Sequence, residues 1–354
     1  MRGAVRRRGR MPPVAGSPWR LTAGAGLALT AVLFLLPLLT VRGEGGGAAG
    51  ETENAPLTAT APEGQTTRAA RDRGHIVKLL QPDGTVEELT MADYLFGVVA
   101  AEMPAAFEEE ALKAQACAAR TYTVVRQASA HAAHPQADVC TDSGCCQAYV
   151  ERQAAETRWG ISAGTYSAKI SQAVADTDGL GILYQGAPIQ AVFFSSAPGQ
   201  TADAVAVWGS QVDYLKSVSS PEGDEVPNYR SQVVLTAEEV RSRVLAAYPG
   251  ADLSGDPSGW FGTPASSGGA VTSIPVGGVT LTGSQVRTLF SLRSAAFTVA
   301  WDGTSFTFSV TGYGHGVGMS QYGANAMAKE GSSFRDILTW YYTGAQVDDL
   351  WAES

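Results

Sequence analysis

Positive charge is scarce in most of this sequence. Its 354 residues carry 25 Lys and Arg against 34 Asp and Glu. Seven of the arginines (Arg2, Arg6, Arg7, Arg8, Arg10, Arg20 and Arg42) lie within the first 42 positions, where neither Lys nor an acid occurs. Beyond position 42 the balance is 18 basic against 34 acidic side chains, a net charge of −16. Such a body has no basic footprint, which excludes non-specific nucleic-acid binding. No repeat of fixed period occurs, which removes solenoids and arrays. No HExxH pair is present, so nothing marks a hydrolase of that zinc class. Residues 42–74 nearly lack large apolar side chains, and a stretch of Gly, Ala, Thr and Glu cannot bury enough surface to fold; they read as a flexible linker.

What is present bounds the architecture. Hydrophobic residues at 45% and charged residues at 17%, with 40 Gly and 17 Pro, describe a globular, turn-rich protein long enough for a sizeable core. Residues 21–41 hold no charge and are rich in Leu, Val and Phe, long enough at about 1.5 Å per residue to cross a hydrocarbon core of about 30 Å. The arginines crowd on the N-terminal side, so the positive-inside rule makes residues 1–20 a cytoplasmic basic tail, 21–41 a transmembrane anchor, and the rest extracytoplasmic. A cleaved signal peptide is the alternative; the run exceeds an ordinary h-region and no clean A-x-A site follows it.

From Ile76 the pattern IVKLL, a PDG turn and TVEEL predict a hairpin that opens a folded region over 75–350. Thr90 and Asp93 resemble a capping box and predict a helix that stops at Pro104 with Glu102 in its last turn. A second helix is expected from near Phe107 to Ala130. Strand-like runs follow at 170–176, 180–184, 188–195 and 214–218, then helices at 236–248 and 283–290. Strands at 296–300 and 305–311 and a last helix inside 317–342 complete the pattern. The expected class is α+β, a mostly antiparallel sheet with packed helices, preceded by one N-terminal transmembrane helix.

Cys117 falls in the second helix, and Cys140, Cys145 and Cys146 share one loop. Outside the cytoplasm disulfides are the default. The series His134, Cys140, Cys146 equally supplies three borderline-soft ligands for Zn²⁺ with a fourth ligand to be found. Spacing alone leaves both readings open, and Cys145 can compete in either.

Three motifs carry the chemistry. GVVAAEMP (97–104) runs into ALKAQACAARTY (111–122); FFSSAPGQT spans 193–201; GYGHGVGMSQYGA spans 312–324. Glu102 sits at a helix end beside apolar residues, where desolvation raises a carboxyl pKa toward that of a general acid at neutral pH. In their order and with their neighbours the motifs resemble the SpoIID/LytB domain family over roughly 76–346. The likeness extends through CQAY, the VWG and DYLKSV segments and LTGSQVRTLFSLRSAAF.

The resemblance implies a lytic transglycosylase of peptidoglycan that breaks the bond between N-acetylmuramic acid and N-acetylglucosamine without water, with Glu102 as the catalytic acid and base. It implies substrate-binding roles for Lys113, Arg120, Tyr214, Lys216, Asp224, His315 and Gln321, and it matches His134, Cys140 and Cys146 to a zinc loop of some members, mainly structural in role. Phe194 departs from the family, where His is common. The implied partners are glycan strands stripped of stem peptides, an amidase of the SpoIIP type and the membrane protein SpoIIM. Two other classes stay in view: a non-catalytic glycan-binding enhancer of an amidase, and a zinc hydrolase using the His/Cys site.

Overall fold

The computed structural model describes residues 70–129 and 132–352. The expected tail, anchor and nearly all of the expected linker lie outside them. Among the described residues no helix is long and apolar enough to cross a membrane.

Ala70–Arg73 (α1) is a single helical turn in which Asp72 is fully buried, so ordered packing begins ahead of residue 75. Ile76–Leu80 (β1) and Val86–Thr90 (β2) form the expected antiparallel hairpin. Thr90 accepts the Asp93 N–H and caps Met91–Glu102 (α2), whose middle is buried on every side. The helix ends at Met103, which is extended (φ −120°, ψ 144°) as a residue before proline must be.

Glu109–Gln127 (α3) is the central helix. Its buried Ala111, Ala114, Ala116, Ala118 and Ala119 carry almost no side-chain bulk, which lets neighbouring elements pack close around it. Val139–Cys140 (β3) joins β1 in parallel. Arg152–Trp159 (α4) and Ala163–Asp176 (α5) follow. The stretch 170–176, expected as a strand, is the end of α5. Only Ile170, Ala173 and Val174 of that helix are buried, a spacing of three and one that belongs to a helical face and not to alternation.

Leu180–Tyr184 (β4), Ala187–Pro188 (β5) and Phe193–Phe194 (β6) come next, then the short Ala204–Trp208 (α6). Residues 214–218 form no strand; Thr201 holds them, its hydroxyl accepting the Val218 N–H (2.9 Å) and its carbonyl accepting the Ser217 hydroxyl (2.6 Å).

A second apolar core starts with Arg230–Thr236 (β7) and Ala237–Ala247 (α7). It continues through Ala265–Ser267 (β8), Ala270–Val276 (β9), Val279–Leu281 (β10), Gly283–Phe290 (α8), Phe297–Trp301 (β11) and Ser305–Thr311 (β12). Phe290, Phe306 and Phe308 sit at its centre. The chain then re-enters the first core with Met319–Ser320 (β13), Gln321–Lys329 (α9), Phe334–Tyr341 (α10) and Gln346–Asp349 (β14). A last helix was expected inside 317–342, and the segment holds two.

The sheets are small: β2-β1-β3, β14-β4-β5 and β13-β6 in the first core, β11-β12-β7 and β10-β9-β8 in the second. Pairing is antiparallel except for β1 with β3 and β6 with β13. The class is α+β. The GYGHG segment runs between the cores, where Gly312 N–H donates to Tyr229 O, Tyr313 pairs with Ser196, and Gly314 N–H donates to Arg293 O (2.9 Å).

Candidate active site

Glu102 closes α2, and two donors converge on its carboxylate. The Ala148 N–H donates to Oε1 (2.7 Å), and Gln321 Nε2 donates to Oε2 (3.2 Å). Burial pushes its pKa up, against the downward pull of those two hydrogen bonds. The residue is half-buried, and part of its surface stays open to a ligand.

The Ala148 contact depends on a glycine. Val150 N–H donates to Gly97 O (3.2 Å), and a Cβ on Gly97 would collide with the Tyr149 ring. Without that side chain the 148–150 segment lies flush against α2 and carries its amide to Glu102.

Gln321 is the first residue of α9, capped by Ser320, whose hydroxyl accepts the Gly323 N–H. Ser320 also donates to Glu222, a buried carboxylate that further accepts the Ala197 N–H (2.6 Å) and the Ser220 hydroxyl (2.5 Å). Tyr341 completes this knot through Ser220 (2.6 Å). Glu222 thus ties the SSAPG turn to the start of α9, and so helps set where Gln321 stands. Motif spacing points to Asp224 two residues later and misses Glu222. Asp224 is exposed and pairs with Arg230, also exposed (2.8 Å).

The other expected ligand-binding residues separate. Arg120 is a correction: it has no exposed surface and cannot line a groove. Its guanidinium forks onto Asp72 (Nε to Oδ1 2.9 Å, Nη2 to Oδ2 2.6 Å) and donates to Leu180 O (2.7 Å), tying α1 to α3 and β4. Lys113 is held by Glu110 (2.8 Å) and Asp176 (3.3 Å), on the α5 side of α3. Tyr214 packs on Tyr184, and its hydroxyl accepts the Gln190 N–H (3.0 Å). Lys216 is exposed. Only Gln321 of this set touches Glu102.

His315 is locked by the backbone. Nδ1 accepts the Val317 N–H (3.2 Å), so Nε2 carries the proton and donates to Phe193 O (3.0 Å). Burial lowers its pKa to about 4, which keeps it neutral at physiological pH. Phe194 and the partly exposed Trp208 flank the ring at 5.6 and 5.8 Å. Trp208 was not singled out from sequence; its place in the VWG segment was the available signal.

The loop after α3 gathers His134, Cys140, Cys145 and Cys146, with one ligand atom from each lying within 4.8 Å of the others. The expected trio is therefore joined by Cys145. His134 Nδ1 donates to Ala137 O (3.1 Å), which turns Nε2 toward Cys146 Sγ (3.3 Å). All four cysteines of the chain are free thiols in the structure. An imidazole oriented by a carbonyl and three thiols at this spacing fit a tetrahedral Cys₃His zinc site, whose bonds of about 2.0–2.3 Å bring ligand atoms to comparable separations. Burial, with Cys140 nearby, pushes the Cys146 thiol up to about 12, the opposite of what a bound cation would do. Cys146 is followed by Gln147, whose amide donates to Tyr94 and Thr123 (3.2 Å each), and then by Ala148.

A half-buried carboxylate met by a backbone amide and a carboxamide thus stands on an α+β scaffold. Residues 82–184 match the family model of the stage II sporulation protein SpoIID. The chain is 38% identical over 327 residues to stage II sporulation protein D of Bacillus subtilis, covering 91% of this chain and 94% of that protein. It is 37% identical over 266 residues to stage II sporulation protein D of Bacillus amyloliquefaciens, covering 75% of this chain and 76% of the relative. It is also 27% identical over 304 residues to the amidase enhancer of Bacillus subtilis, of which it covers 40%. The chain belongs to the SpoIID family of stage II sporulation proteins.

Proposed function

We propose that this protein is a membrane-anchored lytic transglycosylase that cleaves N-acetylmuramic acid to N-acetylglucosamine bonds in stem-peptide-free peptidoglycan during sporulation. In this reading residues 21–41 hold it in the cell membrane, and the domain that follows the linker of residues 42–74 works outside. Similarity to stage II sporulation proteins supports the setting. The observation that carries the chemistry is the environment of Glu102, a carboxyl with a raised pKa and, among the described residues, two neutral donors hydrogen-bonded to it.

In the mechanism, protonated Glu102 gives its proton to the glycosidic oxygen as the bond to muramyl C1 breaks. The carboxylate, steadied by the Ala148 amide and the Gln321 carboxamide, then takes the proton of the muramyl C6 hydroxyl as O6 bonds to C1. The product is a 1,6-anhydro end, and no water is consumed. Hydrolysis would ordinarily need a second carboxylate. Glu222 is engaged by a backbone amide and two hydroxyls, and Asp224 by Arg230, so neither supplies one.

His134, Cys140, Cys145 and Cys146 would hold a structural zinc ion. It would supply a cross-link to the loop that ends at Ala148, and none of the glycosidic chemistry passes through it. The reading extends to a SpoIIP-type amidase that strips the strands beforehand and to SpoIIM at the same membrane. The amidase-enhancer relative favours one other reading, a glycan-binding protein that stimulates an amidase without cutting.

The deciding experiment incubates the purified full chain with amidase-treated sacculi and analyses the products by mass spectrometry. Release of 1,6-anhydro-muramyl ends is expected. Amidase stimulation without new ends would favour the enhancer reading. Equal release from untreated sacculi would remove the requirement for prior stem removal.

A further inference from the structure

Gln115 lies within α3, has no exposed surface, and directs its carboxamide at the acid's own partner. Its Oε1 accepts from Gln321 Nε2 (3.5 Å), the nitrogen that also donates to Glu102 Oε2 (3.2 Å). The Gln115 Nε2 is buried and meets no acceptor among the described residues. For packing alone this is a poor choice of side chain, because an amide nitrogen withdrawn from water without a partner is destabilising and an apolar chain of similar length is not. A buried polar group on those terms needs a reason other than packing.

The helix that bears Gln321 is fixed opposite Gln115. Asn325 follows Gln321 by four residues, on the same face of α9, and its Oδ1 accepts the N–H of Glu108, the residue that caps α3 (2.8 Å). That contact pins α9 to the start of α3. What remains open is a half-turn of the Gln321 carboxamide, whose nitrogen and oxygen ends are nearly alike in shape and opposite in hydrogen bonding. The half-turn matters to Glu102. With its nitrogen toward the acid, Gln321 only donates, which steadies the carboxylate and leaves the proton of the acid form to point elsewhere. With its oxygen there, it would accept that proton's hydrogen bond and hold it away from a glycosidic oxygen.

We propose that Gln115 is a positioning residue that locks the Gln321 carboxamide with its nitrogen toward Glu102, so that the proton of the acid is left for the substrate. The lock works because one NH2 group carries two protons, one for Glu102 and one for Gln115 Oε1. A half-turn would set oxygen against oxygen at Gln115 while it withdrew the donor from Glu102. Gln115 acts through Gln321 and takes no part in the proton transfer itself.

This inference rests on the role of Glu102 proposed above. Gln115→Met keeps the length of the side chain and removes the acceptor, and its melting temperature should equal or exceed that of the wild type. On amidase-treated sacculi kcat should fall about three- to tenfold, the range one hydrogen bond supplies, with KM unchanged. The alkaline limb of its kcat/KM profile should move to higher pH, because a carbonyl turned to the acid favours the protonated form. In a chain that already carries Gln321→Ala, the same substitution should add nothing to either effect. A folded Gln115→Met chain with the wild-type kcat and pH profile would overturn the proposal. So would an equal loss in the Gln321→Ala background, the mark of a purely structural role. A second measurement needs neither turnover nor a variant at position 115. In the wild-type full chain labelled with 15N-glutamine, the two side-chain amide protons of Gln321, identified by their absence from Gln321→Ala, should both exchange slowly with solvent. Fast exchange would overturn the lock even if Gln115→Met fails to fold. Failure of the transglycosylase reading shows up separately, as absence of anhydro ends from the wild-type chain, and the exchange measurement then still decides whether the lock exists.

Discussion

Gln321 Nε2 donates to Glu102 Oε2 at 3.2 Å across 219 positions of sequence. The contact joins the first residue of one helix to the last residue of another, and Gln115 Oε1 lies within reach of the same amide at 3.5 Å. It holds the carboxylate in place and pulls its pKa down, while burial pulls harder in the other direction.

Glu102→Gln should lose at least the ~10²–10⁴ in rate that a positioned acid–base group supplies, with glycan binding kept. Relative to the wild type, the same variant should be increasingly the more stable as pH rises. A folded-state pKa above the unfolded one contributes stability that is full below the unfolded pKa and is lost as pH rises through the folded one. The amide has no such loss, so melting curves of the two chains should coincide in acid and separate toward neutrality. Near wild-type release of anhydro ends would remove Glu102 from the mechanism.

Gln321→Ala removes one of two contacts that lower the Glu102 pKa. The alkaline limb of the kcat/KM profile should shift to higher pH, with a smaller rate loss than Glu102→Gln causes. An unmoved profile would show that the carboxamide does not act on the acid.

The four-ligand loop should carry close to one zinc per chain, read by metal analysis and by the thiolate-to-cobalt absorption of a cobalt-substituted sample. Cys145→Ser should weaken the metal, as should His134→Ala and Cys140→Ser, because all four donors converge. Chelation should lower the melting temperature more than it lowers turnover of the protein that stays folded. Native protein with a disulfide in this loop and no metal would refute the zinc assignment.

Arg120→Ala should cost about 3–5 kcal/mol in stability, since Asp72 would be left charged and buried without its partner. The double change Arg120→Met/Asp72→Leu should recover much of that loss. Glycan affinity of the folded fraction should be unchanged in both. A selective loss of binding in a stable Arg120 variant would return this residue to the groove.

Much of the local structure was legible because it rests on neighbours in sequence. The Thr90 cap, the helix over 283–290 and the strand over 305–311, with its alternating burial, follow from patterns that close within a turn or a pleat. The motif AAEMP announces a carboxylate at a helix end, since Pro104 stops the helix wherever the rest of the chain goes. The 170–176 error has the same origin. Two β-branched residues, Ile170 and Val174, in a short window resemble a strand, and only the register of Ile170, Ala173 and Val174 against the first core shows the helix.

By itself, then, the sequence determined the elements that neighbouring residues can close among themselves, the place of Glu102 at a helix end and the family to which the chain belongs. Tertiary structure alone decided the surroundings of that acid. Nothing in the spacing of Arg120 tells a groove residue from one sealed against Asp72, 48 positions away. Nor does spacing show that Glu222 and not Asp224 is the buried acid, that Cys145 joins the cluster of His134, Cys140 and Cys146, or that Ala148 and Gln321 meet on Glu102. The physical reason is common to all four. Burial and hydrogen-bond partnership are properties of the space around a side chain, and here that space is filled by segments from distant parts of the chain, whose approach depends on close packing at positions such as Gly97 and on no local periodicity.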